Sequence, residues 1–245
     1  MRPVCLITGA SAGIGAACAR LAAARGYDLA LTYNSDPEGA NAVAKAAQAL
    51  GARTLVLQLD VADSVAIDAA YAAIDKHFGR LDALINNAGI VAATARVTDL
   101  SFDRLRLMFD VNVIGAMLVA KGAVLRMQAA GAGVIVNISS VAARLGSANQ
   151  YVDYAASKAA IDTFTKGLAD EVGPDGIRVM ALAPGLIETD IHLKGGEPGR
   201  AQRLGGGTPL GRAGTPEEVA NGVLWLMSDE ASYVTGSVLN VSGGR

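Results

Sequence analysis

The stretch from Gln150 to Ala160 sets a tyrosine and a lysine four residues apart, Tyr154 and Lys158. In a helix, side chains at that spacing share a face, so the two point into the same space. A free phenol, with a pKa of about 10, is a poor proton donor or acceptor near neutrality. A neighbouring ammonium favours the phenolate and lowers that pKa. A phenol tuned in this way can serve as general acid or base. The pattern Tyr-x-x-x-Lys is common by chance, so its meaning depends on what the rest of the chain supplies. Tyr151 is the useful contrast: Ala155 stands four residues after it, and the ammonium is missing.

The elements that must position this pair can be read in order. Val4 to Thr8 is a short apolar run suited to a buried strand. It leads into Thr8-Gly9-Ala10-Ser11-Ala12-Gly13-Ile14-Gly15 and then an Ala-rich helical stretch to Arg25. Strand, Gly-rich turn and helix, in that order, are what a phosphate site requires. Glycine lets the backbone turn tightly and approach a ligand, and amides at a helix N-terminus favour an anion. Gly13 and Gly15 could instead serve only close packing of helix on sheet. Asp28 to Tyr33 reads as a second strand. In a dinucleotide fold an acidic residue at its end bonds the ribose 2′-hydroxyl and selects NAD. Here Tyr33, Asn34 and Ser35 follow with no carboxylate before Asp36, which favours NADP(H) and leaves NAD(H) possible. Neither Ala12 nor Asn34 is the arginine that commonly meets a 2′-phosphate.

Helical and extended patterns then alternate: 38–50 helical, 53–59 extended, 64–78 helical, 81–85 extended, a long helix over 101–130, and a strand over 134–138. A strand over 177–183 ends in Pro184-Gly185, and a last strand covers 237–241. This alternation predicts one α/β domain over residues 1–245, a doubly wound parallel sheet with helices on both faces. Ligands in such sheets bind beyond the carboxyl ends of the strands, where Asp60, Asn86 and Ser140 would fall. Asp, Asn and Ser also suit turns for their own sake. Residues 185–214 hold nine glycines and read as a flap. Loops of that length in a compact domain are usually functional or disordered. Thr215-Pro216-Glu217-Glu218 spells a capped helix start.

The bulk numbers narrow the classes. Net charge is −2 and aromatic residues make up 4%, which argues against nucleic acid or a membrane surface as partner. No run reads as long enough to cross a bilayer. The N-terminus reaches its Gly-rich turn too soon for a signal peptide. Cys5 and Cys18 form neither a disulfide framework nor a metal site and read as packed thiols in a reducing, cytoplasmic compartment. His77 and His192 stand alone, so no metal is expected.

Taken together, Thr8-Gly-x-x-x-Gly-Ile-Gly15, Asn86-Asn-Ala-Gly89, Asn112, Ser140, Tyr154-x-x-x-Lys158 and Pro184-Gly185 resemble the short-chain dehydrogenase/reductase family across nearly the whole chain. The chain is similar to bacterial glucose-dehydrogenase-like and ketoacyl-reductase-like members. It is also similar to a bacterial oxidoreductase subset carrying Gly-Gly-Glu-Pro-Gly-Arg in the flap, here 195–200. The resemblance implies a Rossmann-type fold, a small carbonyl or alcohol substrate and a homotetramer. Tyr154 would be the general acid or base, Lys158 would lower its pKa and bond the nicotinamide ribose, Ser140 would position the substrate oxygen, and Asn112 would hold a relay water. Gly9, Ser11, Gly13, Ile14 and Gly15 would meet the pyrophosphate. Tyr33, Asn34 and Ser35 would surround the 2′ position, and Asp60 and Val61 the adenine. Asn86, Ala88 and Gly89 would line the adenosine and nicotinamide side. Pro184, Gly185, Ile187 and Thr189 would hold the carboxamide end. Ser139 competes with Ser140, and the second serine matches the family pattern. The Ser140-to-Tyr154 interval is 14 residues, one longer than in similar reductases, which implies an inserted residue on the substrate side.

Hydride chemistry belongs to the coenzyme, and the protein must orient it and supply a proton. Donors at the substrate oxygen, Ser140 and Tyr154, would stabilise developing negative charge. The substrate pocket is expected from 91–97, 147–152 and the flap, with Arg96, Arg144 and His192 as side chains that could meet substrate. Two rival readings are a coenzyme-binding scaffold without catalysis and a nucleotide-sugar epimerase. The intact Asn112, Ser140, Tyr154 and Lys158 set argues against the first, and a length of 245 residues against the second.

Overall fold

The structure, a computed structural model, describes residues 2–189 and 196–245. Seven strands form one parallel sheet in the order β3-β2-β1-β4-β5-β6-β7. They are β1 (Val4–Ile7), β2 (Asp28–Tyr33), β3 (Thr54–Gln58), β4 (Ala83–Asn86), β5 (Gly133–Ile138), β6 (Ile177–Pro184) and β7 (Val238–Val241). Parallel neighbours need a crossover connection, and the helices supply it. Strands buried on both faces read as continuous apolar runs, as Val4-Cys5-Leu6-Ile7 does. Strand order reverses between β1 and β4, so the chain leaves those two strands on opposite sides of one crevice at the carboxyl edge.

Two apolar clusters cover the two sheet faces. Helices α1 (Gly13–Ala24), α2 (Pro37–Ala49) and α9 (Pro216–Met227) pack over Ile7, Leu29, Leu31 and Ile85. Helices α3 (Ser64–Phe78), α5 (Ala116–Ala130) and α7 (Val152–Val172) pack over Leu6, Leu84, Ile135 and Val179. Each Leu or Ile fully buried here contributes about 1.5–3 kcal/mol. The helix starts follow their caps. Asp36 accepts from Gly39 N at 2.9 Å, Asp63 from Val65 N at 2.8 Å, and Thr215 with Glu218 closes a reciprocal capping box.

The long helix expected over 101–130 is interrupted. Ser101 caps α4 (Phe102–Phe109), a π-turn covers Asp110–Gly115, and α5 follows. Gly115 explains the accommodation, since a β-carbon there would stand 2.4 Å from the Val61 carbonyl oxygen. A single π-turn inside a helix is frequent at functional sites, and Asn112 sits in this one. The stretch Phe102–Ala130 is, against expectation, long and apolar enough to cross a membrane by length and composition. Its apolar side is instead spent on the sheet, where Val119, Ala120, Ala123 and Met127 are fully buried.

The flap is tied at its base. Ile187 and Gly214 form an isolated parallel bridge, with Glu188 N donating to Gly214 O at 2.9 Å and Gly214 N to Leu186 O at 2.9 Å. It carries a short helix, α8 (Arg200–Gly205). A further short helix, α6 (Ala142–Leu145), follows β5. His192 lies outside the described residues. His77 is exposed in the last turn of α3, edge-on to Phe78.

Candidate active site

The carboxyl edge opens into two cavities of 390 and 380 Å³. Ile14, Asn87, Gly89, Val91 and Thr189 line both, so the two form one cleft.

The smaller cavity is built by the loop after β1. Gly9, Ser11, Gly13 and Ile14 line it, and Gly13 has φ +54, a left-handed conformation natural only to glycine. Ala12, the N-cap of α1, brings no side-chain acceptor, which leaves first-turn amides for an anion. Gly15 does not line the cavity. A β-carbon on it would stand 2.3 Å from Gly9 O and 2.7 Å from Asn87 Nδ2, so it serves close packing of α1 against the loop. Asn34, Ser35, Asp60, Val61, Ala88 and Gly89 line this cavity, and Tyr33 does not.

Asn86 likewise lines neither cavity. It ends β4 with its side chain buried, and Nδ2 donates to Ala116 O at 2.8 Å and to Asn137 Oδ1 at 3.1 Å. Asn137 Nδ2 donates in turn to Thr165 Oγ1 at 2.9 Å, so this chain of amides ties β4 and β5 to α7. Alternation along the strand puts the next residue, Asn87, in the cleft. Its Nδ2 donates to Thr8 O at 2.9 Å and Gly9 O at 3.0 Å, and Thr8 Oγ1 accepts from the main-chain N of both Asn87 and Ala88 at 2.9 Å. The phosphate-type loop is thus braced from the neighbouring strand.

The larger cavity carries the acid–base groups. Beyond β5, Ser139 is buried and donates to Lys158 O at 3.3 Å, whereas Ser140 is half-exposed. Ser140 Oγ accepts from Ala142 N at 3.1 Å, opening α6. Tyr154 and Lys158 lie in the first two turns of α7 and line the cavity with Ser140. Lys158 Nζ donates to Ile138 O at 2.8 Å and lies 5.8 Å from the centre of the Tyr154 ring. Asn112, buried in the π-turn, accepts from Ile90 N at 2.8 Å and donates to Ile90 O at 2.9 Å and to Ser157 Oγ at 3.1 Å. It lines neither cavity, yet a β-carbon on Gly89 would stand 3.2 Å from Asn112 Oδ1 and 3.4 Å from Lys158 Nζ. Asn112 therefore anchors the chain beyond β4 next to the lysine. Arg104 pairs with both oxygens of Asp153 at 2.7 and 3.2 Å, fastening α4 to the turn that bears Tyr154. Burial raises the Asp153 carboxyl, and the Arg104 contacts outweigh it, holding the carboxyl below its ordinary range.

Burial dominates the electrostatics of the pair. It pushes the Tyr154 phenol up to about 12, against the neighbouring Ser140 hydroxyl, which lowers it. It pushes the Lys158 ammonium down to about 8, against Asp162, which raises it. The expected lowering of Tyr154 by Lys158 does not govern here, because burial outweighs it. The amine is spent on the Ile138 carbonyl, and desolvation disfavours the charged form of both groups. Tyr154 is accordingly a neutral phenol, a proton donor.

Pro184, Gly185, Ile187 and Thr189 line the larger cavity, as do Val91, Ser147 and Ala148. A tight turn follows α6, where Ser147 (φ 51) and Asn149 (φ 59) are both left-handed. Arg96 and Arg144 do not line the cavity, and Arg144 Nη2 donates to the Arg245 carbonyl at 3.2 Å. The arginines that do line it are Arg200 and Arg245, with Gln150 and Tyr151 beside them. Tyr151 stands edge-on to Tyr154 at 5.7 Å. Only the flap motif ending in Arg200 could have drawn attention to this group from sequence.

A switch-point crevice with an anion-ready helix start at one end and a phenol, hydroxyl and buried amine at the other defines an NAD(P)-dependent oxidoreductase. The sequence matches the family described as enoyl-(acyl carrier protein) reductase over residues 9–245. It is 46% identical to an uncharacterised oxidoreductase of Escherichia coli K12, covering 99% of each chain. It is 39% identical to cis-4-hydroxycyclohexanecarboxylate dehydrogenase of Sinomonas cyclohexanicum, covering 98% of this chain and 95% of that one. A 3-ketoacyl-(acyl-carrier-protein) reductase from Brucella melitensis, solved with NADH, superposes with a TM-score of 0.92 at 31% identity, covering 99% and 98% of the two chains. The chain belongs to the short-chain dehydrogenase/reductase family.

Proposed function

We propose that this protein interconverts a carbonyl and an alcohol, with Tyr154 as general acid/base. The observation that carries the reading is the joint placement of Ser140, Tyr154 and Lys158 in one cavity that opens into the Gly-rich loop. When bound, a nicotinamide coenzyme supplies the hydride to the carbonyl carbon. The carbonyl π bond breaks, and the oxygen takes the Tyr154 proton. Ser140 and Tyr154 donate hydrogen bonds to the oxygen as charge develops, which favours the transition state over the substrate. Lys158 holds a proton beside the pair and restores it to the phenol. Asn112 holds the chain beside Lys158 and forms the inner end of a water relay to solvent.

The residues fit the coenzyme. Gly9, Ser11, Gly13 and Ile14 would hold its pyrophosphate, Asp60 and Val61 its adenine, and Pro184, Gly185, Ile187 and Thr189 its carboxamide. An NADP(H) preference rests on Tyr33-Asn34-Ser35, which bring no carboxylate to the end of β2. One observation favours NAD(H) instead: Asp36 and Asp60 line that cavity, and no lysine or arginine does among the described residues. The same reading includes one coenzyme-binding domain with the flap over its substrate cavity, and a homotetramer. Exposed Phe102, Leu107, Ile114 and Leu125 along α4 to α5 support an interface there. Both cysteines are buried free thiols, which supports a reducing, cytoplasmic setting.

The test is a pair of measurements. Nicotinamide fluorescence is titrated with NADPH and with NADH, and turnover of a ketone panel is followed with the tighter coenzyme. Wild type is expected to bind and turn over. Tyr154→Phe is expected to bind the coenzyme and lose on the order of 10²–10⁴-fold in kcat. Turnover by Tyr154→Phe within threefold of wild type would refute the assignment.

A further inference from the structure

Arg200 is 5% exposed, yet its charge is poorly matched. One Nη2–H meets the neutral Gln150 Oε1 at 2.5 Å, and the guanidinium lies 5.2 Å from the centre of the Tyr151 ring. Among the described residues its one carboxylate within ion-pair range is Glu197, 3.9 Å from Nη1 and too far for a hydrogen bond. Glu197 is already engaged by Arg203 at 2.5 Å and Thr94 at 3.2 Å. Arg200 Nε is buried with no hydrogen-bond partner among the described residues. Buried charges are ordinarily paired and hydrogen-bonded, because desolvating an unpaired ion is costly. Arg200 lines the cavity, so an anion bound there can give its guanidinium a closer partner than the distant Glu197 carboxylate.

The rest of the cavity agrees. Among the described residues lining it, Lys158, Arg200 and Arg245 are cationic and none is Asp or Glu. Lys158 belongs to the acid–base group, which leaves Arg200, with the exposed Arg245, to set the charge at the other end. The planar guanidinium matches the two oxygens of a carboxylate. The 390 Å³ cavity must hold the nicotinamide end of the coenzyme as well as the substrate, which calls for a small substrate.

We propose that the substrate is a keto acid or hydroxy acid. Its carboxylate is held by Arg200, oriented by Gln150 and Tyr151, while its reacting oxygen meets Ser140 and Tyr154. This rests on the oxidoreductase reading and adds the substrate class to it. Gln150 and Tyr151 hold the guanidinium from the chain that enters α7, the helix carrying Tyr154, so the anion site and the acid–base site share one support.

The test compares 4-oxopentanoate, 5-oxohexanoate and 6-oxoheptanoate with their methyl esters, at fixed reduced coenzyme. In wild type the best acid should exceed its ester in kcat/KM by on the order of 10- to 100-fold, the range of a charge-assisted hydrogen bond. Arg200→Met should bring that ratio to about one, and Arg200→Lys should retain part of it. Calorimetric titration of the same acids and esters into wild type reads binding without turnover, and the acids should again bind more tightly. Equal turnover and equal binding of acids and esters by wild type would overturn the proposal, as would an acid preference that survives in Arg200→Met. If acids bind selectively while no carbonyl compound turns over, the anion site stands and the oxidoreductase reading fails.

Discussion

Lys158 should destabilise the folded protein at neutral pH, and its removal should therefore be stabilising. Burial takes the ammonium from 10.5 to about 8. At about 1.4 kcal/mol per tenfold change in proton affinity, that corresponds to about 3 kcal/mol. Between pH 8 and 10.5 the unfolded chain keeps a proton that the folded chain has released, so stability rises with pH across that window. Below pH 8 both states are protonated, and the folded state carries the whole penalty. Lys158→Met keeps the buried stem and removes the ammonium. It also removes the hydrogen bond to Ile138 O, worth about 1 kcal/mol. The net gain near pH 7 is about 2 kcal/mol, or about 4–8 °C in Tm for a chain of this size. The assay is thermal and urea unfolding of coenzyme-free wild type and Lys158→Met at pH 7 and pH 10. The advantage should be present at pH 7 and gone by pH 10, while turnover falls sharply in the variant. A Lys158→Met protein no more stable than wild type at pH 7, with a gap indifferent to pH, would refute the reasoning. Stability given up at a functional residue is the trade-off such sites commonly show.

Arg104→Met should destabilise by about 3–5 kcal/mol, because it leaves Asp153 buried without its partner, and adding Asp153→Asn should recover part of the loss in urea unfolding. Asp36→Asn should keep the cap on α2, since asparagine caps as well as aspartate. By removing a charge from the smaller cavity it should shift the NADPH-to-NADH affinity ratio toward NADPH by on the order of tenfold. An unchanged ratio in paired fluorescence titrations would place the 2′ position elsewhere.

Much of the architecture is legible in the chain. Apolar runs such as Val4-Cys5-Leu6-Ile7 alternate with capped helical stretches, and only a parallel sheet covered on both faces buries them all. The boundary and cap of α9 follow directly from Thr215-Pro216-Glu217-Glu218. Tyr154 and Lys158 share a face because a helix turns every 3.6 residues, so local sequence suffices to pair them.

What the chain could not decide depends on contacts far apart in sequence. The π-turn at Asp110–Gly115 packs Gly115 against the Val61 carbonyl, a neighbour that no local pattern names. Asn87 rather than Asn86 enters the cleft because the end of β4 determines which side chain turns inward. The Tyr154 and Lys158 pKa values are set by burial from surrounding elements rather than by their spacing. Arg96 and Arg144 were the loop arginines expected to meet substrate, and only the folded chain brings Arg200 to the cavity and encloses it. Periodicity and capping are short-range and determine elements and local pairs. Desolvation, close approach and cavity lining are long-range, and the tertiary structure alone decides them.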